Sequence, residues 1–530
     1  MEHKVVYQIY PKSFKDSNHD GEGDIRGIIS KLDYLKDLGV DILWLTPVFI
    51  SPQNDNGYDV QDYYHVDSRF GTDQDLQELI DEARSRNMDI MLDMVFNHSS
   101  TYHPWFQKAL QGYQEYMDRY YFVKDKVNWE SKFGGNAFEY VEELDMYYLH
   151  LFDKTQADLN WENENVFNEF VKICNYWLDK GVRGFRFDVI NLISKPDIFK
   201  DDSNGDGRPM YTDGPKVTEY IRQLGAKSFA KYDDVMTVGE LSSTSIKKAA
   251  QYSKRNESGL STIFNFHHLK VDYKDGNKWA LKPFDFLELK QLYASWQLGM
   301  IKENASMSLF LSNHDQPRAI SRFTDESFEG ATMLMNMIMS LKGVVYLYQG
   351  EEIGLPNAYF DSINDYRDIE SLNYYKILKK EYGEEEVLEI LRERSRDNGR
   401  TPMPWNHEKN YGFSIKSPWL PFSKAKNLQT VEDNINNPNS IYHYTKRLIK
   451  KRKTDDVLIH GDIEFVDLDH PELFIYKRSY KNKTYLCIHN FYAKDVYYEF
   501  DYKSIIAHNY QESQVNTLRP FESIIVEIEA

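Results

Sequence analysis

Asp188 stands two residues after Arg186 in GFRFDVI, Glu240 closes the run MTVGE, and Asp315 follows His314 in SLFLSNHDQPR. Three carboxyl groups on separate apolar runs, one with a guanidinium beside it, can do acid and base chemistry on a neutral bond. Any one of them alone is more simply a buried ion-pair partner. Taken with Asp93 and the Asn97-His98 pair of DIMLDMVFNH, they call for a common mouth. Glycoside hydrolysis with retention uses two carboxyls about 5–5.5 Å apart, one attacking the anomeric carbon and one protonating the departing oxygen. On that reading Arg186 keeps Asp188 ionised, while Glu240 carries its proton in a drier or like-charged setting. Asp315 is then placed to stabilise the positive charge that develops on the sugar ring.

Such a constellation needs elements that all end in one place. Short β-branched or aromatic runs alternate with stretches of helical period: VVYQIY from Val5, ILWL from Ile42, DIMLDMV from Asp89, GFRFDVI from Gly184, MTVGE from Met236, TIFNF from Thr262, SLFLSN from Ser308 and VVYLYQG from Val344. The alternation is that of βα units around a parallel sheet, and eight units close a (β/α)8 TIM barrel with its chemistry at the C-terminal strand ends. GIISKLDYLKDLG sets Ile28, Leu32, Leu35 and Leu38 on one stripe with Gly39 as a stop, and TDQDLQELIDEARSRN opens on a capping signal at Thr72 and Asp73. The barrel is assigned to residues 1–98 and 160–453. Residues 99–159, aromatic and too long for an ordinary βα loop, are expected to form a small subdomain over the active face. A second long excursion runs from Leu355 to about Asn406. Residues 454–530 change to short alternating runs (FVDLDH, LFIYKRSY, TYLCIHNF, YYEF, SIIVEIEA), the pattern of a C-terminal antiparallel β domain.

The 530 residues are 41% hydrophobic with a mean hydropathy of −0.64 and no long apolar run, which argues against a membrane span. A net charge of −19 argues against nucleic acid as a partner, and means that an anionic substrate needs a local basic pocket. Cys174 and Cys487 have neither metal-ligand spacing nor the density of a disulfide framework. MEHKVVYQIYPKSF enters an apolar run at once, without a signal segment. A cytoplasmic monomer that meets only a small molecule is the expectation.

DMVFNH, GFRFDVIN, GELSS and FLSNHDQPR resemble the signature regions of the α-amylase superfamily, in the right order on the right runs. The resemblance extends over nearly the whole chain. It implies a retaining α-glucosidase with no organic cofactor, Asp188 as nucleophile, Glu240 as acid/base and Asp315 as transition-state stabiliser. It implies sugar binding by Asp59 of GYDVQDY, Tyr63, His98, His103, Arg186, His314 and Arg400 of RDNGRTP. Phe152 and Gln156 of LHLFDKTQADLNW resemble residues that shape the entrance, with structural duty the alternative for them and for Tyr63. DSNHDGEGD from Asp16 lacks the bidentate Glu of an EF-hand but resembles the metal loop after strand one in oligo-1,6-glucosidase-like enzymes. That implies Ca²⁺ or Mg²⁺ on Asp16, Asn18, Asp20, Asp24 and the Glu22 carbonyl; the alternative is a polar Asx-turn loop. DDSNGDGR from Asp201 has similar spacing and is read as a loop.

Val189, directly after the nucleophile, resembles the residue of enzymes that cleave linkages other than α-1,4. VGELSSTS and FNFHHLKVDYKDGNKWALKPFDF resemble the trehalose-6-phosphate hydrolases most, which implies cleavage of trehalose 6-phosphate to glucose and glucose 6-phosphate. His267, His268, Lys270, Lys274, Lys278 and Lys282 concentrate positive charge beyond the sixth run of an acidic chain. Charge-assisted hydrogen bonds suit a phosphate. Lys270 and Lys278 are assigned to it, and Lys274 and Lys282 to a solvated loop. The alternatives are an oligo-1,6-glucosidase or dextran glucosidase acting on neutral isomaltosaccharides, and a catalytically silent binding or partner protein, whose known kind loses the carboxylates and bears a membrane span. Pro404 and the pair Leu311-Ser312 depart from the usual residues at their positions without touching the carboxylates.

Overall fold

The eight apolar runs form strands β1 (Val5–Ile9), β2 (Ile42–Leu45), β3 (Asp89–Met94), β4 (Gly184–Phe187), β5 (Met236–Glu240), β6 (Thr262–Phe264), β7 (Ser308–Leu309) and β8 (Val344–Tyr348) in the computed structural model, which describes residues 2–255, 259–514 and 516–529. Their order is β6-β5-β4-β3-β2-β1-β8-β7, every pairing parallel. The open edges meet where the hydroxyls of Thr262 and Ser308 hydrogen-bond at 3.0 Å, which completes the barrel. Its strands are almost wholly buried, because helices cover the outer face and side chains fill the inner one; hence near-continuous apolar runs rather than alternation.

Register decides which side chains meet. Arg186 pairs with Asp93 across β4 and β3, and Phe187 with Gly239 across β4 and β5. One step further along each strand, Asp188 therefore stands beside Glu240. The close approach of β4 to β3 needs Gly184, where an added Cβ would lie 2.6 Å from the Met91 Cβ.

The connections obey their local signals. The first splits into two short helices, Ile25–Ile29 and Leu32–Leu38, and the second ends on Gly39 at φ 99°. The helix Asp73–Ser85 starts on a capping box between Thr72 and Asp75. After β3 the chain leaves the barrel through His98–Ser100 and returns through Gln156–Asp158, and these two strands pair antiparallel. Between them Phe122–Val123, Phe138–Val141 and Met146–Leu149 make a small antiparallel sheet. The clamp at its base places His98 and Gln156 side by side over the barrel mouth.

The C-terminal antiparallel sheet begins at Asp462, after the helices Ile441–Thr454 and Asp456–His460. It seats on the barrel through polar as well as apolar contacts. Tyr476 Oη lies 2.6 Å from Ser340 Oγ, and Asn336 Nδ2 donates to Ser523 Oγ at 3.0 Å. Cys174 and Cys487 are buried free thiols, and no helix among the described residues is long and apolar enough to cross a membrane.

Candidate active site

A cavity of about 250 Å³ at the C-terminal mouth is lined by Asp188, Glu240 and Asp315. Arg186, 1% exposed, holds the first two: Nη1 donates to Asp93 Oδ1 at 2.7 Å and to Asp188 Oδ1 at 2.6 Å, and Nη2 donates to Glu240. Two carboxyls on one guanidinium fork lie within hydrogen-bonding reach of each other. Burial, with the charges of Asp188 and Asp315 added and Arg186 opposing, pushes Glu240 up to about 8. Burial also raises Asp188, to about 6, against the pull of Arg186. The pair thus holds one proton at neutral pH, and Glu240 keeps it.

Asp315 sits in the opposite electrostatic setting. Burial would raise it, but Arg400 Nη2 at 2.8 Å and Arg396 Nη1 at 3.3 Å hold it well below the usual carboxylate range. His314 adds no charge at neutral pH, since burial pushes it down to about 3. Gln8 Nε2 donates to His314 Nδ1 at 2.7 Å, so the ring proton belongs on Nε2, 3.3 Å from Asp315 Oδ2.

Around these groups the cavity is walled by Asp55, Tyr58, His98, Gln156, Phe133 and Phe152. Arg396 Nη2 at 2.9 Å and Gln156 Nε2 at 3.1 Å hold Asp55. Tyr58 stacks on His314 and donates to Asp93 Oδ2 at 2.8 Å. Val189 takes φ 36° and ψ 40°, a left-handed conformation costly for a β-branched residue, at the turn that presents Asp188. Two lysines also line the cavity. Lys278 Nζ donates to Glu370 Oε2 at 2.6 Å, and Lys132 Nζ to Ser242 Oγ at 3.2 Å. A larger groove of about 760 Å³, bounded by Asp325, Tyr359 and Asp433, contains none of the barrel-end carboxylates.

The model of the alpha-amylase catalytic domain matches residues 8–461. The chain belongs to the α-amylase family. It is 44% identical over 98% of its length to the trehalose-6-phosphate hydrolase of Bacillus subtilis (strain 168), 97% of which is covered. It is 41% identical over 99% of its length to the oligo-1,6-glucosidase of Parageobacillus thermoglucosidasius, 98% of which is covered. The crystal structure of the Bacillus licheniformis trehalose-6-phosphate hydrolase superposes with a TM-score of 0.95 at 45% identity, covering 100% of this chain and 99% of that one. Within the α-amylase family this chain is a glycoside hydrolase.

Several sugar-binding expectations move by a few residues in this α-amylase family barrel. Asp59 does not line the cavity: it is fully buried and accepts from Ser51 Oγ at 2.9 Å, Asn54 N at 2.9 Å and Asp55 N at 3.1 Å. It fixes the loop that presents Asp55 and Tyr58. Tyr63 donates to the carbonyls of Val95 and His98 at 2.8 and 3.0 Å, and so anchors the end of the β3 segment. His103 caps the helix Pro104–Leu110 through Trp105 N. Arg186, His314 and Arg400 are buried behind the carboxylates, and the two arginines hold them. Lys270 is exposed and lies outside the cavity lining. His98, Phe152, Gln156 and Lys278 do line it.

The loop from Asp16 has the oxygen types a hard cation takes, and those oxygens accept hydrogen bonds from within the loop. Asp16 accepts from His19 N and Gly21 N, and Asp24 from Ser17 N, Ser17 Oγ, Asn18 N and Gly27 N. Asn18 and Asp20 bond one another, Asp20 also accepts from Glu22 N, and the Glu22 side chain pairs with Lys12. Among the described residues no three carboxylates or imidazoles gather to hold an ion. These are the bonds of an Asx-turn loop, the alternative reading for this segment.

Proposed function

We propose that the enzyme hydrolyses trehalose 6-phosphate to glucose and glucose 6-phosphate with retention at the anomeric carbon. The unphosphorylated ring lies against Asp188 and Asp315, and the phosphorylated ring on the Glu240 side. An Asp188 oxygen attacks the anomeric carbon while Glu240 gives its proton to the bridging oxygen, releasing glucose 6-phosphate. Glu240, now a carboxylate, takes a proton from water as that water's oxygen displaces Asp188 and frees α-glucose. Asp315, kept ionised by Arg396 and Arg400, stabilises the positive charge on the ring in both steps.

The contact between Asp188 and Glu240 supports retention, since an inverting pair needs about 6.5–9.5 Å to seat a water. The observation that carries the phosphorylated substrate is a cavity wall bearing Lys132, tied to Ser242 two residues after the proton donor, in a chain with net charge −19. The names of the relatives support both this reading and, for some of them, the neutral isomaltosaccharide alternative. Two free buried cysteines suit a reducing, cytoplasmic compartment. The test is proton NMR of the first turnovers on trehalose 6-phosphate. α-Glucose with one equivalent of glucose 6-phosphate is expected; β-glucose would refute the double displacement, and an uncleaved substrate would refute the assignment.

A further inference from the structure

We propose that Lys132, a residue of the inserted subdomain, is the cation that selects a phosphorylated leaving group; the inference rests on the reading above that the substrate carries a phosphate. Four basic groups stand in or beside the cavity, and three are accounted for. Lys278 is matched by Glu370 at 2.6 Å, and Arg208 by Asp206 at 3.2 Å. Lys270 is an exposed residue outside the cavity lining. Lys132 lines the cavity with no carboxylate in ion-pair distance among the described residues, its Nζ resting on the Ser242 hydroxyl. A charge in a half-buried wall without a counter-ion is costly. Desolvation, with the repulsion of Arg208 and Lys270 added, pushes Lys132 down to about 7. The arrangement is that of a site waiting for an anion.

Its position names the anion's place on the substrate. Glu240 delivers its proton to the leaving oxygen, so the leaving sugar lies on the Glu240 side. Ser242 follows Glu240 by two residues and ties Lys132 to that side. The subdomain holds the lysine there through the backbone bond Lys132 N to Leu151 O, 2.9 Å, and the buried neighbours Ser131 and Phe133. A phosphomonoester on the leaving sugar would supply the missing negative charge, and its field would be strengthened by Arg208 and Lys270 just beyond. Lys278, neutralised by Glu370, is left to position hydroxyl groups rather than to count charge.

The test compares kcat/KM for trehalose 6-phosphate and for 4-nitrophenyl α-glucoside in the full-length wild type and in Lys132→Met, Lys132→Gln and Lys132→Arg. Met and Gln should lower the ratio of phosphorylated to neutral substrate by about 10- to 100-fold, the worth of one hydrogen bond to a charged group, mainly through KM. Arg should restore most of the ratio. An unchanged ratio in either neutralising variant that folds overturns the proposal, and so does a parallel loss on both substrates, which would make Lys132 a support of the carboxylates. A wild type that shows no preference for trehalose 6-phosphate would sink the substrate reading itself, before any variant is made.

Discussion

Asp188 and Glu240 together set the pH dependence of turnover. Glu240 must be protonated to act as the acid, and burial pushes it up to about 8. Asp188 must be ionised to attack, and it is raised only to about 6. Turnover therefore falls as pH rises through about 8 and as it drops through about 6, with both limbs belonging to the coupled pair. One pH unit above the upper limb only about a tenth of Glu240 keeps its proton, so the rate there is about a tenth of the plateau. The quantity to measure is kcat on trehalose 6-phosphate, since the titration of Lys132 acts on binding. Glu240→Gln keeps the size of the side chain but cannot donate a proton; it should cost about 10²- to 10⁴-fold and erase the alkaline limb. Its loss on 4-nitrophenyl α-glucoside should be smaller, because a nitrophenolate departs without protonation. An alkaline limb that survives in Glu240→Gln would refute the assignment of the acid. A wild-type upper limb as low as that of an ordinary carboxyl would refute the claim that burial keeps Glu240 protonated.

Two further outcomes follow from the corrected geometry. Asp55→Asn removes a carboxylate from the cavity wall and should lower kcat/KM by about 10-fold or more, whereas Asp59→Asn should lose more stability than activity, by about 1–3 kcal/mol for its loop hydrogen bonds; the reverse ordering, read from kinetics and urea midpoints, would restore Asp59 to the sugar. EDTA should leave kcat and Tm unchanged if the Asp16 loop is held by its own hydrogen bonds, as Asp16 and Asp24 hold it here. A Tm that climbs with added Ca²⁺ would show that the loop takes the ion after all.

The barrel was legible because a parallel strand buried on both faces writes itself as an uninterrupted apolar run, and the runs of β3, β4, β5 and β7 lead into the residues that do chemistry. β7 was legible by the same rule, although only Ser308–Leu309 of SLFLSN pairs as strand, the rest bending to present His314 and Asp315. The C-terminal strand Ser504–His508 was missed because it is an edge strand with a largely exposed face, so its residues lack an alternating apolar signature. The site misassignments share one cause. Asp55 and Asp59 flank the same Asn-Gly turn, and spacing alone does not say which carboxylate faces the cavity and which is consumed by backbone N–H groups. Arg396 carried a signal, one helical turn before Arg400, yet its partners Asp55, Asp315 and Asp368 come from distant segments. Lys132 was hidden for the same reason, since its role depends on the meeting of the subdomain with the residues after β5.

The central claim is that this barrel acts on a phosphorylated disaccharide. The direct measurement is glucose release from trehalose 6-phosphate and from isomaltose, side by side, with Asp188→Asn as the blank. A kcat/KM for trehalose 6-phosphate well above that for isomaltose, and none in Asp188→Asn, is the predicted result. Preference for isomaltose would leave the carboxylate roles standing and contradict the phosphate assignment, and activity persisting in Asp188→Asn would contradict the nucleophile.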